Sequence, residues 1–373
     1  MMKHVLLICA VVLLSACNPS EKNEANKKEV AAATENEFSR EEVDHAFGTK
    51  AGKTVYPETA IDTTATPNIV IDEKSSSDEP LKFYEISKNT FMFFGNIAEV
   101  DEVNRGSNGN AGFVITDEGV VVIDSLGSPK LGKQIIASVK EKTDKPIRYL
   151  IITHNHPDHA YGAPVFRMLK DVTVIGHEGT LKYLNSDRID HSVAYRKTFI
   201  AADMEGFEAV EPDVLVGGER FSKHSFTLGG KTFDIYNTGA HHSYGDLVVH
   251  QVEDNIVWIS DLAFNQRVTF MADGGSQTAI EGQNWLLEKF ADAKLMVPGH
   301  GSAQTPPFEM VSKTRSYMQR LREVMTKAVE EDVELQDAVE SNEFEDWKDV
   351  RLYKLNHRKN LEFVYREMEQ ELF

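Results

Sequence analysis

Thr153-His154-Asn155-His156-Pro157-Asp158-His159 is the stretch whose reading decides the fold. It comes straight off residues 148–153, a short and nearly continuous apolar run that reads as a buried strand. Three imidazoles and a carboxylate packed into residues 154–159 must stay neutral or charge-paired if desolvated, and a shared cation is what compensates such a cluster. In an extended segment His154 and His156 project to one side, whereas Asp158 and His159, past Pro157, turn towards a neighbouring position. The spacing therefore predicts two metals instead of one. One ion would not take all four donors from so short a loop, so more must arrive from elsewhere. The chain offers His241 or His242, Asp261 and His300, each at the end of a predicted strand.

Outward from this motif, residues 82–87 and 90–94 read as strands, and residues 111–116 and 120–124 flank Asp117-Glu118-Gly119, a hairpin signal. Helical spacing is expected over residues 131–140, 163–169 and 283–290. Further strands are expected at 172–175, 226–228, 232–236, 247–251, 256–260 and 295–297. Strand-rich halves with intervening helices predict a layered α/β domain with helices on both outer faces. Beyond Pro306-Pro307, apolar residues at Met310, Met318, Leu321, Met325 and Ala328, and again at Leu361, Val364, Tyr365, Met368 and Leu372, predict amphipathic helices that pack on the domain or a second subunit.

The chain has 373 residues, with 59 acidic against 40 basic side chains and a formal net charge of −19. An acidic excess repels phosphate backbones, so a nucleic-acid partner is not expected and a small-molecule substrate is. Two cysteines, Cys9 and Cys17, exclude a disulfide framework and a cysteine-based zinc site. Lys3 and His4 precede an apolar run over residues 5–14, too short to span a bilayer but suited to a secretory signal. Leu14-Ser15-Ala16-Cys17 resembles the lipobox of bacterial lipoproteins, which implies cleavage before Cys17 and its lipidation. Asn18 in place of an aspartate leans towards the outer membrane, the protein facing the periplasm. The expected organisation is a signal peptide over residues 1–16, a lipidated tether over 17–80, a metal-binding domain over 81–305 and a helical extension over 306–373. Residues 38–47 and 56–71 of the tether are candidate docking arms.

The His-x-His-x-Asp-His motif after a strand, a later histidine, an aspartate ending a strand and Gly299-His300-Gly301 together resemble the metallo-β-lactamase superfamily, over roughly residues 81–304. The resemblance implies a four-layer αββα sandwich, with the metals at one edge between the sheets and a C-terminal α-helical extension. It assigns His154 and His156 to a first metal and Asp158 and His159 to a second, with Asp124 supporting the loop from behind. Gly239-Ala240-His241-His242-Ser243-Tyr244-Gly245-Asp246 is similar to the family's Gly-x-x-His-Thr-x-Gly-Asp, a register that selects His242. Ile259-Ser260-Asp261 resembles the family's bridging Gly-Asp, with serine at the glycine position, and His300 closes the second site. Zinc suits this mixture of imidazole and carboxylate best, with iron or manganese as the alternatives used by some relatives.

Such a site implies a dinuclear zinc hydrolase using a metal-bridging hydroxide on a small ester, thioester, lactone or phosphodiester, with Asp158 orienting the hydroxide and moving its proton. Lactamases with a cysteine ligand are excluded, and a cysteine-free zinc β-lactamase stands as the alternative. A non-catalytic zinc-binding lipoprotein is the alternative from another class. The segments 317–324, 356–360 and 365–369, with Trp347, resemble the helical tail of SoxH-like and quinoprotein-relay metallohydrolases, which implies a periplasmic hydrolase. Asn155, Tyr161 and Arg267 are candidate substrate contacts, and the other histidines are expected to be structural.

Overall fold

A computed structural model describes residues 80–373 apart from Val103 and Ala272. The expected signal peptide, Cys17, the docking arms and the tether before Pro80 lie outside the described residues. Seven strands form one sheet in chain order: β1 (Tyr84–Ser87), β2 (Thr90–Phe93), β3 (Ala111–Ile115), β4 (Val120–Ile123), β5 (Ile147–Ile151), β6 (Thr173–His177) and β7 (Val214–Val216). The first four pair antiparallel and the last four, sharing β4, pair parallel. A second sheet holds β8 (Lys223–Leu228), β9 (Lys231–Gly239), β10 (Asp246–Gln251) and β11 (Ile256–Ser260) as an antiparallel meander, with β12 (Leu295–Pro298) parallel to β11.

The layer order follows from side-chain alternation. In β4, Val120 and Val122 face an outer helical layer while Val121 and Ile123 face the second sheet. Both faces are buried, which is why this strand and its neighbours read as continuous apolar runs. The outer layer on that side is α1 (Pro129–Lys142), started by Ser128, whose hydroxyl accepts from Leu131 N at 3.2 Å. Its Leu131, Ile135 and Val139 pack on Phe93, Phe113 and Leu150. Across the molecule Leu247, Val249, Ile256 and Trp258 point inwards. Val248, Val257 and Ile259 point outwards, against the layer of α6 (Ser276–Lys289) and α7 (Glu309–Glu330). Burying each such side chain contributes about 1.5–3 kcal/mol. The two sheets meet closely at Gly112, where a Cβ would lie 2.1 Å from the Trp258 ring. The result is the expected αββα sandwich.

The first half also carries α2 (Pro157–Ala160), α3 (Pro164–Arg167), α4 (Gly179–Leu184) and α5 (Arg188–Ile200), of which the sequence pattern predicts only α3. The helix expected over residues 163–169 is thus a single turn, α3. Helix α5 escapes a sequence reading because it buries only Ile189, Arg196 and Ile200, one of them a cation.

After α7 come α8 (Leu335–Glu340), a single 3-10 turn (Glu345–Trp347) and α9 (Tyr353–Leu372). Tyr317, Met318, Leu321 and Met325 of α7 pack against Leu361, Val364, Tyr365 and Met368 of α9, together with Val268 and Met271 of the loop after β11. Met310 instead packs with the outer face of the second sheet. His357 has a structural role: its Nδ1 accepts from the Tyr317 hydroxyl at 2.9 Å and its Nε2 donates to the Asn342 carbonyl at 2.8 Å. One turn apart on α9, Asn356 donates to the Val268 carbonyl at 3.2 Å and Asn360 to the Thr269 carbonyl at 2.8 Å. Asn360 also accepts from Met271 N at 3.1 Å, so the extension holds the loop after β11 in place. Among the described residues no helix is long and apolar enough to cross a membrane.

Candidate metal centre

Four loops meet beyond the C-terminal ends of β5, β9, β11 and β12, and each brings part of one cluster. The loop after β5 carries His154 and His156 and runs into α2, which carries Asp158 and His159. The β9–β10 loop brings His242, β11 ends at Asp261, and the turn after β12 brings His300. Two groups result, His154/His156/His242/Asp261 and Asp158/His159/His300, with the ligand atoms of each within 4.8 Å of one another. All seven residues expected from the sequence are therefore together.

The backbone around them is built to this end. Asp246 Oδ2 accepts three N–H groups, from His241 and His242 at 2.9 Å and Ser243 at 3.1 Å, which shapes the loop that presents His242. Asn110 donates to the carbonyls of Pro298 (2.8 Å) and Gly301 (2.9 Å) and so clamps the turn carrying His300. Gly299 is required there, since a Cβ would stand 1.9 Å from Asp261 Oδ1.

Outer partners decide which nitrogen of each imidazole faces inwards. His159 Nδ1 donates to Asp124 Oδ2 at 2.8 Å, His156 Nε2 to Asp273 Oδ2 at 3.2 Å, and His300 Nδ1 to the Asn108 carbonyl at 2.7 Å. His154 Nδ1 lies 3.1 Å from the hydroxyls of both Thr153 and Ser260. Ser260 donates to Thr153 Oγ1 at 2.8 Å and Thr153 to Asp124 Oδ2 at 2.9 Å, so one carboxylate anchors His159 directly and His154 through two hydroxyls. Serine at the expected glycine position thus takes a left-handed conformation (φ 50°) and adds a link in that chain. Replacing Asp124 with asparagine is expected to weaken divalent-metal binding about 10–100-fold, read by competition with a chelator, because a carboxylate behind a ligating histidine sets its orientation and basicity.

The inward atoms fit metal ions. His156 Nδ1 and His242 Nε2 lie 2.8 Å apart, His242 Nε2 and Asp261 Oδ2 3.0 Å, His159 and His300 Nε2 3.4 Å, and His300 Nε2 and Asp158 Oδ2 3.4 Å. A tetrahedral ion with bonds of about 2.0–2.1 Å needs donors separated by about 3.3 Å. His154 Nε2 and Asp261 Oδ1 are buried without any hydrogen-bond partner, as groups reserved for a cation would be. The electrostatics agree. Burial lowers the proton affinity of His154 well below its ordinary value, helped by His159 beside it. At His159 burial acts in the same direction, yet Asp261, Asp124 and Asp158 overcome it and raise the pKa to about 9. The carboxylates call for positive charge in a place where a proton on His154 is a poor substitute for a metal.

His241 lies outside the cluster, with Nε2 3.1 Å from Thr238 Oγ1, and burial pushes its pKa down to about 4. Asn155 and Tyr161 line a small cavity behind the loop with Thr180 and Tyr183, away from the open pocket, which corrects the expectation that they touch substrate. Arg267 does reach the pocket, which has a volume of about 410 Å³ and opens onto Asp158, Asp261, His242 and His300. Three residues beside the cluster carried no sequence signal: Asn108, which donates to Asp158 Oδ2 at 3.0 Å; Arg196, 3.9 Å from Asp158 Oδ1; and Asp273, which also pairs with Arg188.

Fold and site together define the class: an αββα protein with a histidine–aspartate metal cluster at one edge of its sheets, the scaffold of metal-dependent hydrolases. The metallo-β-lactamase superfamily model matches residues 104–300, more than half of the chain, and the protein belongs to that superfamily. It is 26% identical over 192 residues to a type 2 metallo-β-lactamase of Bacillus cereus, covering 50% of this chain and 64% of that one. The chain therefore spans somewhat less than two thirds of that relative. Among solved structures, a stereoselective inverting sec-alkylsulfatase from Pseudomonas sp. superposes with a TM-score of 0.62 at 14% identity, over 92% of this chain and 62% of that one. The metallo-β-lactamase FIM-1 of Pseudomonas aeruginosa in its mono-zinc form gives 0.50 at 19% identity, over 66% and 97%.

Proposed function

We propose that the protein is a dinuclear zinc hydrolase acting on a small ester, thioester, lactone or phosphodiester. The observation that carries this reading is the position of Asp261, whose carboxylate faces both groups: Oδ2 lies 3.0 Å from His242 Nε2 and 3.3 Å from His300 Nε2, and Oδ1 lies 3.6 Å from His159 Nε2. His154, His156 and His242 would hold one ion, Asp158, His159 and His300 the other, and Asp261 both. When bound, the two ions lower the pKa of water towards neutrality and polarise the scissile bond. Asp158 is the residue that handles the proton. Burial opposes its ionisation, but His159 and His300 prevail and keep it an acceptor at neutral pH. Asn108 and Arg196 hold its two oxygens in place on the pocket wall.

The test is to count zinc per chain in purified protein, and to screen p-nitrophenyl acetate, S-lactoylglutathione, a lactone series, bis-p-nitrophenyl phosphate and nitrocefin. Two zinc ions and turnover of at least one of these support the reading; turnover of nitrocefin alone supports the cysteine-free β-lactamase instead. Zinc bound with no turnover supports the non-catalytic alternative.

We propose in addition that Cys17 carries a lipid anchor that holds the enzyme at the periplasmic face of the outer membrane, on the strength of Leu14-Ser15-Ala16-Cys17. Cys17→Ala is expected to move the protein from the membrane fraction to the soluble fraction; unchanged fractionation would remove the anchor from the account.

A further inference from the structure

The pocket over the metal centre is lined by three cations, Arg196, Arg267 and Lys359, and four carboxylates, Glu99, Asp158, Asp261 and Asp273. The carboxylates next to the cluster are engaged: Asp158 with Arg196 and His300, Asp261 with the histidines, Asp273 with His156 and Arg188. Two of the cations are not. Arg267 is only 5% exposed, its Nε has no hydrogen-bond partner, and among the described residues it pairs with no carboxylate. Its NH1 lies 3.1 Å from His300 Nδ1, but that nitrogen carries a hydrogen already donated to the Asn108 carbonyl at 2.7 Å. The guanidinium therefore meets another donor there, and its Nε hydrogen is left unmet. The Phe264 ring lies 5.4 Å away as a cation–π neighbour. A buried cation left in this state is destabilising unless an anion reaches it. Lys359, an exposed residue of α9 on the same pocket wall, likewise has no ion pair among the described residues. Two divalent ions would turn the lining's formal excess of one negative charge into three positive.

We infer that the substrate carries a negatively charged group, a carboxylate, sulfate ester or phosphate ester, held between Arg267 and Lys359 beside the His300 metal position. This rests on the hydrolase reading for the reaction but not for the binding. Arg267 supplies planar, paired N–H donors and Lys359 a mobile point charge, a combination suited to an anion with two or three equivalent oxygens. The second of these charges comes from the C-terminal extension, outside the residues 104–300 that match the superfamily.

The test is calorimetric titration of the zinc-loaded protein with monomethyl glutarate, methyl sulfate and methyl phosphate, which separates the three anions without requiring turnover. Binding of at least one is expected, weakened about tenfold or more by Lys359→Ala and by Arg267→Met, and restored in part by Lys359→Arg. Lys354→Ala, an exposed change on the same helix away from the pocket, is the control and is expected to bind as wild type. Failure of all three anions to bind, or binding to zinc-loaded wild type, Lys359→Ala and Arg267→Met with equal affinity, would overturn the inference. Either result would leave the hydrolase reading standing if p-nitrophenyl acetate is turned over. Conversely, selective anion binding with no turnover of any ester would support this inference while removing the hydrolase reading.

Discussion

Asp261→Ala is expected to lower turnover by on the order of 10³-fold or more and to leave no more than one zinc per chain. The carboxylate is the group that faces both halves of the cluster, 3.0 Å from His242 and 3.3 Å from His300. Its loss removes a ligand from each half at once. It also removes a negative charge that burial opposes and that His300, His159 and His242 keep ionised well below the usual carboxylate range. Without it, two divalent ions repel each other across a low-dielectric gap with one compensating charge fewer. Loss of one well-placed electrostatic group in an active site lowers rates by about 10²–10³-fold, and displacement of an ion adds to that. Metal content by mass spectrometry and kcat/KM on whichever ester the wild type accepts give the two readouts. Retention of two zinc ions, with kcat/KM within tenfold of wild type, would show that the carboxylate does not join the two sites.

A chain ending at Leu352 is expected not to fold. It loses α9, and with it Leu361, Val364, Tyr365 and Met368, which close the cluster shared with α7, Val268 and Met271. Truncating a single large core side chain costs about 2–5 kcal/mol, so removing four at once costs about 8–20 kcal/mol, as much as or more than the roughly 5–15 kcal/mol by which folded domains are stable. It also strips Asn356 and Asn360 from the carbonyls of Val268 and Thr269, freeing the loop that carries Arg267 and Asp273 beside the metal centre. Asn360→Ala isolates that second effect: it is expected to cost about 1–3 kcal/mol by thermal or denaturant unfolding while leaving a folded protein. The matched superfamily residues end at His300, so a cooperatively folded, zinc-binding truncation product would mean that α9 is an accessory.

The cluster was legible from the sequence because donor density is a local property. Residues 154–159 hold four donors, and His242, Asp261 and His300 each sit at the end of a run with strand periodicity, where a sheet edge must present them. The αββα layers were legible for a related reason: strands buried on both faces, such as β4 and β11, read as unbroken apolar runs. Helix α5 was not, since its inward face is short and includes Arg196. Asn108, Asp273 and Arg188 were also hidden, because an isolated polar residue in a loop acquires a role only through what folding puts opposite it. Asn155 and Tyr161 show the reverse error. Both stand beside metal-bearing residues in the chain, yet they line a cavity on the far side of the loop.

What the sequence determined alone is thus the chemistry on offer: the seven donors, the strands that end at them, and an acidic chain without a cysteine ligand. What only the tertiary structure decided is which nitrogen of each imidazole faces inwards, through Asp124, Asp273, Ser260 and the Asn108 carbonyl, and which charges on the pocket wall remain uncompensated. The physical reason is one of range. Donor identity and strand alternation are encoded over a few consecutive residues. Tautomer, orientation and net charge depend on groups tens to hundreds of positions apart, such as Asn108 against His300 or Lys359 against Arg267, that become neighbours once the two sheets and the C-terminal helix have packed.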